Sequence, residues 1–174
     1  MNHDNEQKIR PLQKRCCRTQ NQRNSRSGFC ISAFLIISKR GYPNKVLMGH
    51  LNKNAPWDHI GALDLERVKR HNRGWMLPSS GLIFGESPQE AATRILKEQL
   101  GLENENLEGP RIISEIYGDE EHWDLEFLFL GELENAPSHN AWLELKFVDL
   151  SKTRREEIAR LHEDVLAHVD RWSK

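Results

Sequence analysis

The chain has 174 residues, 37% hydrophobic and 29% charged, with a formal net charge of −1. That length suits one domain with a sizeable core, and the balanced charge selects neither an anionic nor a cationic partner. No apolar run is long enough to span a membrane, no signal-peptide core is present, and three cysteines make no disulfide framework, so an intracellular, cytoplasmic location is expected.

Residues 1–27 nearly lack apolar side chains, and Lys8, Arg10, Lys14, Arg15, Arg18, Arg23 and Arg26 outnumber Asp4 and Glu6. A solvated, disordered arm is the plain expectation, and contact with nucleic acid or another polyanion is the sharper one. The adjacent Cys16 and Cys17 have no Cys/His pair at zinc spacing after them. The folded domain is expected over 28–174.

Residues 28–38 (GFCISAFLIIS) form an apolar run consistent with a buried strand, in which Cys30 is a small core residue. Gly41 and Pro43 mark a turn, and Val46, Leu47 and Met48 return as a second strand. Residues 51–74 are a long polar connection, with a candidate short helix over 62–71 and a basic side at Arg67, Lys69, Arg70 and Arg73. A mobile solvated loop and a substrate-contacting segment both fit this connection. His50, His59, His71 and His122 share no metal-ligand spacing.

Next comes a strand-like 75–77, a loop holding Pro78, Gly81 and Gly85, and a helix with clear punctuation. Ser87 caps it, Pro88 takes the first helical position, Glu90 completes a Ser-x-x-Glu capping box, and Gly101 stops it. Ala91, Ala92, Ile95, Leu96 and Leu100 recur at helical spacing, so one side packs. Strand, glycine-bearing loop and capped helix are a frequent way to place polar groups near a phosphate.

Strands are then expected over 111–117 and 123–130, separated by an acidic turn, and over 142–148, where Leu143, Leu145 and Phe147 alternate with Glu144 and Lys146. Ser151 is expected to open a last helix with Ile158, Leu161, Val165, Leu166, Val169 and Trp172 as its apolar stripe. Strands on both sides of a central helix, then a closing helix, point to an α/β fold with a mixed sheet between helices.

From Trp75 to Leu102 the sequence WMLPSSGLIFGESPQEAATRILKEQLGL resembles the Nudix box, G-x5-E-x7-R-E-U-x-E-E-x-G-U with U aliphatic. Glu86 takes its first glutamate, Arg94 its arginine, Glu98 one glutamate of the closing pair, and Gly101 with Leu102 its end. The flanking W-x-L-P and G-E-S-P-x-E-A-A-x-R also match. The departures are Ser80 at the opening glycine, Ser79 before it, Ile95 at the glutamate after the arginine, and Gln99 at the second glutamate of the pair.

The resemblance implies the α/β/α sandwich of that family over roughly 28–172, and hydrolysis of nucleoside diphosphates linked to another group. It implies that Glu86 and Arg94 brace the loop, and that glutamates at positions 95, 98 and 99 hold divalent metal against the pyrophosphate. By three- and four-residue spacing those positions are expected to share one helical face, here carrying one carboxylate, one amide and one hydrocarbon. Each missing unit charge near 4 Å forgoes on the order of 4 kcal/mol at an effective dielectric near 20, worth about a thousandfold in rate if specific to the transition state.

Glu98 is therefore the candidate metal ligand and catalytic residue, assisted by Gln99, with Mg²⁺ or Mn²⁺ weakly held. Ser79, Ser80, Gly81 and Arg94 are candidate substrate contacts, though serine at a position needing positive φ would be strained. Glu115, Asp119, Glu120, Glu121, Asp124, Glu126, Glu132 and Glu134 are candidates for a further ligand or base, and Trp57, Tyr117 and Trp123 for stacking on a base, with core packing the plainer role. Two functions follow: a divergent hydrolase with one metal ion, or an inactive Nudix domain binding nucleotide, RNA or a protein partner. Dimers are common in the family, so a homodimer is a candidate assembly. Restoring glutamate at 95 and 99 is expected to raise Mg²⁺ affinity.

Overall fold

The computed structural model describes residues 28–52, 54–55, 74–83, 85–103, 105–117, 122–159 and 162–169. The expected basic arm, the helix over 62–71, the acidic turn at 118–121, and Trp57, His59, His71, Leu161 and Trp172 lie outside them.

Six strands make one mixed sheet: β1 (Gly28–Lys39), β2 (Tyr42–Leu51), β3 (Ser79–Gly81), β4 (Glu108–Tyr117), β5 (His122–Leu133) and β6 (Trp142–Asp149). Their order is β4-β5-β1-β2-β6, with β3 pairing β1 beside that path. β1 and β5 run parallel from Gly28↔His122 to Lys39↔Leu133, and the other pairings are antiparallel.

The β1 run lacks polar alternation because both of its faces are covered. Ala33, Leu35 and Ile37 pack with Leu47 and Phe129 under the box helix, whose Ala91, Ala92, Ile95, Leu96 and Leu100 close that layer. Phe34 and Ile36 face the other way, with Val46, Met48, Leu128 and Val148 under Val165 and Leu166. Helices therefore sit on both faces of a mixed sheet, the expected α/β/α arrangement.

Three local expectations are revised. β2 begins at Tyr42 rather than Val46, because the turn is only Arg40–Gly41. Residues 75–77 contribute isolated bridges, Gly49↔Met76 and Trp75↔Ile158, whereas Ser79–Gly81, read as loop, forms β3 against Ser32–Phe34. No helix starts at Ser151. Asp149 accepts from the Ser151 amide and hydroxyl, and a 3₁₀ turn, Arg155–Glu157, leads to extended Ile158 bridged to Trp75. That bridge requires β geometry at 158, and among the described residues the closing helix α2 covers His162–Val169.

Gly49 shows how tightly β2 meets β6. A Cβ there would strike the Trp142 ring and lie 2.7 Å from the Glu144 carbonyl oxygen. Gly49→Ala is expected to lower stability by about 1–3 kcal/mol through overpacking, read as a reduced urea midpoint with unchanged m. A wild-type midpoint would mean that the Trp142 ring is free to move.

Candidate active site

The box helix, α1 (Pro88–Ile95), begins as its sequence dictates. Ser87 is extended at φ −75 and ψ 159, and Ser87 and Glu90 satisfy each other's backbone N–H groups. The Ser87 amide and hydroxyl hold the Glu90 carboxyl below its ordinary value. This part of the cap is therefore complete at neutral pH and is lost as pH falls through the lowered value. The far end departs from expectation: Leu96–Leu100 widen into a π turn before Gly101 stops the chain at φ 66 and ψ 24. Gly101 N–H bonds to the Lys97 carbonyl and Leu102 N–H to the Leu96 carbonyl, tying off two helix-end oxygens.

Arg94, in the last turn of α1, reaches back over the loop. Its Nε and Nη2 grip the two Glu86 oxygens at 2.6 and 2.9 Å, Nη2 also donates to Gly81 O at 3.1 Å, and Nη1 to Ser80 Oγ at 3.2 Å. Glu86 Oε2 accepts in addition from the Ile83 amide at 2.9 Å. Both charged side chains are only 11% exposed. Glu86 and Arg94, expected to brace the loop, thus join helix, loop and β3 through one planar guanidinium.

The expected shared face of positions 95, 98 and 99 divides. Ile95 is fully buried in the core layer under the sheet. Gln99 is fully buried too, and its carboxamide closes on a single peptide unit: Oε1 accepts from Ser79 N–H at 3.2 Å, and Nε2 donates to Ser79 O at 2.8 Å. The expected assistance of Gln99 at a metal therefore meets an amide whose two ends are already engaged in the core. An amide has the donor and acceptor this clasp needs, whereas an ionised carboxylate would set oxygen against the Ser79 carbonyl. Glu98 alone of the three reaches the rim, with 26% of its side chain exposed and Arg94 Nη1 at 3.8 Å.

Ser79 and Ser80 sit in extended β3, and positive φ falls instead at Gly85 (φ 87), so neither serine carries the strain expected of it. They are nevertheless 9% and 2% exposed, and Ser80 Oγ donates to Gly81 O while receiving Arg94. The Ser80 hydroxyl thus supports the loop from within, while Ser79 is held through its backbone N–H and C=O.

Among the acidic candidates, Asp124 and Glu126 are buried on β5, with the same strand parity as Leu128. They point to the α2 side of the sheet, away from the box helix. Glu134 lies at an exposed ion pair with Arg40. Among the described residues no group of three or more His, Cys, Asp or Glu side chains is placed to hold a metal. One contributor escaped the sequence reading: Trp142 Nε1 donates to the Gln99 carbonyl at 2.9 Å, anchoring the π turn to β6. A buried indole needs an acceptor, and that was the available signal.

An arginine-clamped loop and a capped helix lie on a mixed sheet covered by helices on both faces. The chain belongs to the Nudix family, whose NUDIX domain model matches residues 58–169. It is similar to the MutT protein of Methanosarcina mazei Go1 at 17% identity and TM-score 0.59, over 86% of this chain and 98% of that one. It is also similar to the NUDIX domain of Shewanella oneidensis NrtR, solved with ADP ribose, at 14% identity and TM-score 0.59, over 85% and 90%. A third likeness is the MutT NUDIX hydrolase of Burkholderia pseudomallei, at 16% identity and TM-score 0.53, over 81% and 98%. No curated protein matches the sequence.

Burial of positions 95 and 99 turns the restoration of their glutamates into a stability experiment. Gln99→Glu is expected to lower stability by about 2–4 kcal/mol at pH 8. Burial raises the pKa of the new carboxyl, so the loss shrinks as pH falls and the group protonates. Urea unfolding at pH 5 and pH 8 checks this. A pH-independent loss would show that the new carboxylate reaches water, and with it the metal face.

Proposed function

We propose that this Nudix protein acts on nucleoside diphosphates linked to another group as a divergent pyrophosphohydrolase, with its metal dependence reduced to a single ion at Glu98. The carrying observation is the pairing of an intact Glu86–Arg94 clamp with one carboxylate at the rim of the helix. Support for a nucleotide-type ligand comes from family membership and from the ADP ribose held by the NrtR domain.

The divalent ion that the family implies can be tested against the donors present. Glu86 has both oxygens engaged by Arg94 and Oε2 also by the Ile83 N–H, Gln99 is engaged with Ser79, and Ile95 offers no donor. That set does not fit a cluster of ions. Mg²⁺ does bind through one or two carboxylates when substrate oxygens and waters complete its shell, and Glu98 provides one. An ion there would neutralise phosphate charge and orient the scissile group. Of the expected substrate contacts, Arg94, Ser79, Ser80 and Gly81 act from behind, holding the loop against which the diphosphate lies. No described helix is long and apolar enough to cross a membrane, and the cytoplasmic setting rests on the cysteine usage alone.

A second reading, binding without turnover, is favoured by the Arg94 guanidinium 3.8 Å from Glu98, which competes with any cation for that carboxylate. Nucleotide-sugars, ADP-ribose and dinucleotides, offered with Mg²⁺ or Mn²⁺, separate the two. The hydrolase reading expects metal-dependent turnover about a thousandfold below that of a site with its full set of glutamates, abolished in Glu98→Gln. Equal turnover in both proteins would remove Glu98 from the mechanism. Tight metal-independent binding without turnover in the calorimeter would establish the second reading.

A further inference from the structure

The β1–β2 hairpin closes at the far end of β1 from Gly28, about 35 Å away at roughly 3.3 Å per residue. Its turn carries Tyr42, an aromatic side chain that is 54% exposed. Lys45 Nζ lies 4.8 Å and Lys39 Nζ 5.6 Å from the centroid of that ring. Strict alternation along β2 would put Lys45 on the face opposite Tyr42. Instead the pairing shifts from Ser38↔Val46 to Lys39↔Tyr42, and the extra residues on β2 return Lys45 to the ring. Among the described residues neither ammonium has a carboxylate partner. Arg40, next in the chain, is about two-thirds exposed and meets Glu134 only at 3.9 Å, a pair that holds little in water. Glu132 turns to the other face of the sheet, with the strand parity of Leu130 and Leu128. Arg40 N–H donates to the Leu133 carbonyl and Leu150 N–H to the Asn44 carbonyl, so neighbouring strands hold the turn from both sides.

We propose that this hairpin tip binds single-stranded nucleic acid, with a base stacked on Tyr42 and Lys39, Lys45 and Arg40 on the neighbouring phosphates. Two ammonium groups at one ring repel each other, and a phosphate drawn between them removes that repulsion. An exposed ammonium–ring contact shifts an equilibrium only about 2–5-fold, whereas a base stacked on an aromatic side chain shifts it about 5–150-fold. Exchange therefore favours the base: the ammoniums leave the ring for the phosphates, and the ring face they release takes the base. A duplex keeps its base faces stacked inside and offers the tip phosphates alone. Neither the phenol ring nor an ammonium reads the 2′-hydroxyl, so RNA and DNA single strands bind alike. Lys39 lies about 15 Å beyond Phe34, the last β1 residue paired with β3. The surface is thus separate from the box loop, and it does not depend on turnover there. It is equally separate from the basic segment that precedes Gly28, at the other end of β1.

The test is fluorescence anisotropy of labelled oligo(dT) and oligo(rU), about 15 nucleotides long, with the full chain at about 50 to 200 mM salt. Both are expected to bind with a Kd on the order of 10 μM at the lower salt. Tyr42→Ala is expected to weaken that binding about tenfold without changing its salt dependence, and Tyr42→Phe to retain it. Lys39→Gln and Lys45→Gln are each expected to weaken it a few-fold and to reduce the slope of log K against log salt by about 0.7. Inorganic polyphosphate and a duplex of the same length offer charge without an open base face, so each is expected to bind Tyr42→Ala as it binds wild type. Absence of binding to either oligonucleotide, variants that bind both as wild type does, or a loss in Tyr42→Ala shared equally by polyphosphate would each overturn the proposal.

Discussion

The Arg94 guanidinium is the joint on which the candidate site rests. One planar group ties the last turn of the box helix to Glu86 in the loop, and to Ser80 and Gly81 on β3. Both ions are nearly withdrawn from water, which makes the pair costly to break. Removing one partner of a buried pair leaves the other charged and unsolvated, at about 3–5 kcal/mol. Because Glu86 also takes the Ile83 amide, the loop follows the arginine wherever the helix puts it.

Helix position is set in turn by the core. Ala91, Ala92, Ile95, Leu96 and Leu100 lie under β1, and Gln99 enters the same layer by clasping Ser79. Trp142 fixes the Gln99 carbonyl from β6, with its ring over Gly49. The neutral residues at 95 and 99 thus accompany a closed interior: hydrocarbon and a paired amide tolerate complete burial, whereas ionised carboxylates there would face a large desolvation penalty. Loss of charge and loss of solvent access are two aspects of one packing arrangement. Glu98 remains outside it because it follows Arg94 by four residues along the rim.

Much of this was readable from residue types. Ser87, Pro88, Glu90 and Gly101 define the ends of the box helix by capping chemistry that depends on no distant contact. The buried β1 run and the existence of strands β5 and β6 follow from periodicity, whereas the burial of Asp124 and Glu126 and the exposure of Leu143, which has no partner on β2, do not. The short strand Ser79–Gly81 was not readable, because three small residues carry no β pattern and acquire extended geometry only by pairing with β1. The face assignment of 95, 98 and 99 failed for a related reason. Helical spacing groups Ile95 and Gln99 equally well with the apolar Ala91 and Ala92, and only the packed sheet, with the π turn at Leu96–Leu100, decides which grouping is buried. The closing helix starts late because Ile158 is drawn into a bridge with Trp75, a contact between residues 83 positions apart (158 − 75).

If the guanidinium clamp is the central constraint, Glu86 and Arg94 must be strongly coupled in the folded protein. A double-mutant cycle of Glu86→Gln and Arg94→Met, followed by urea unfolding, measures that coupling directly. A buried bidentate pair predicts a coupling energy of about 2–3 kcal/mol. A value below about 0.5 kcal/mol, as for an exposed ion pair, would contradict the account and leave the loop held by something other than Arg94.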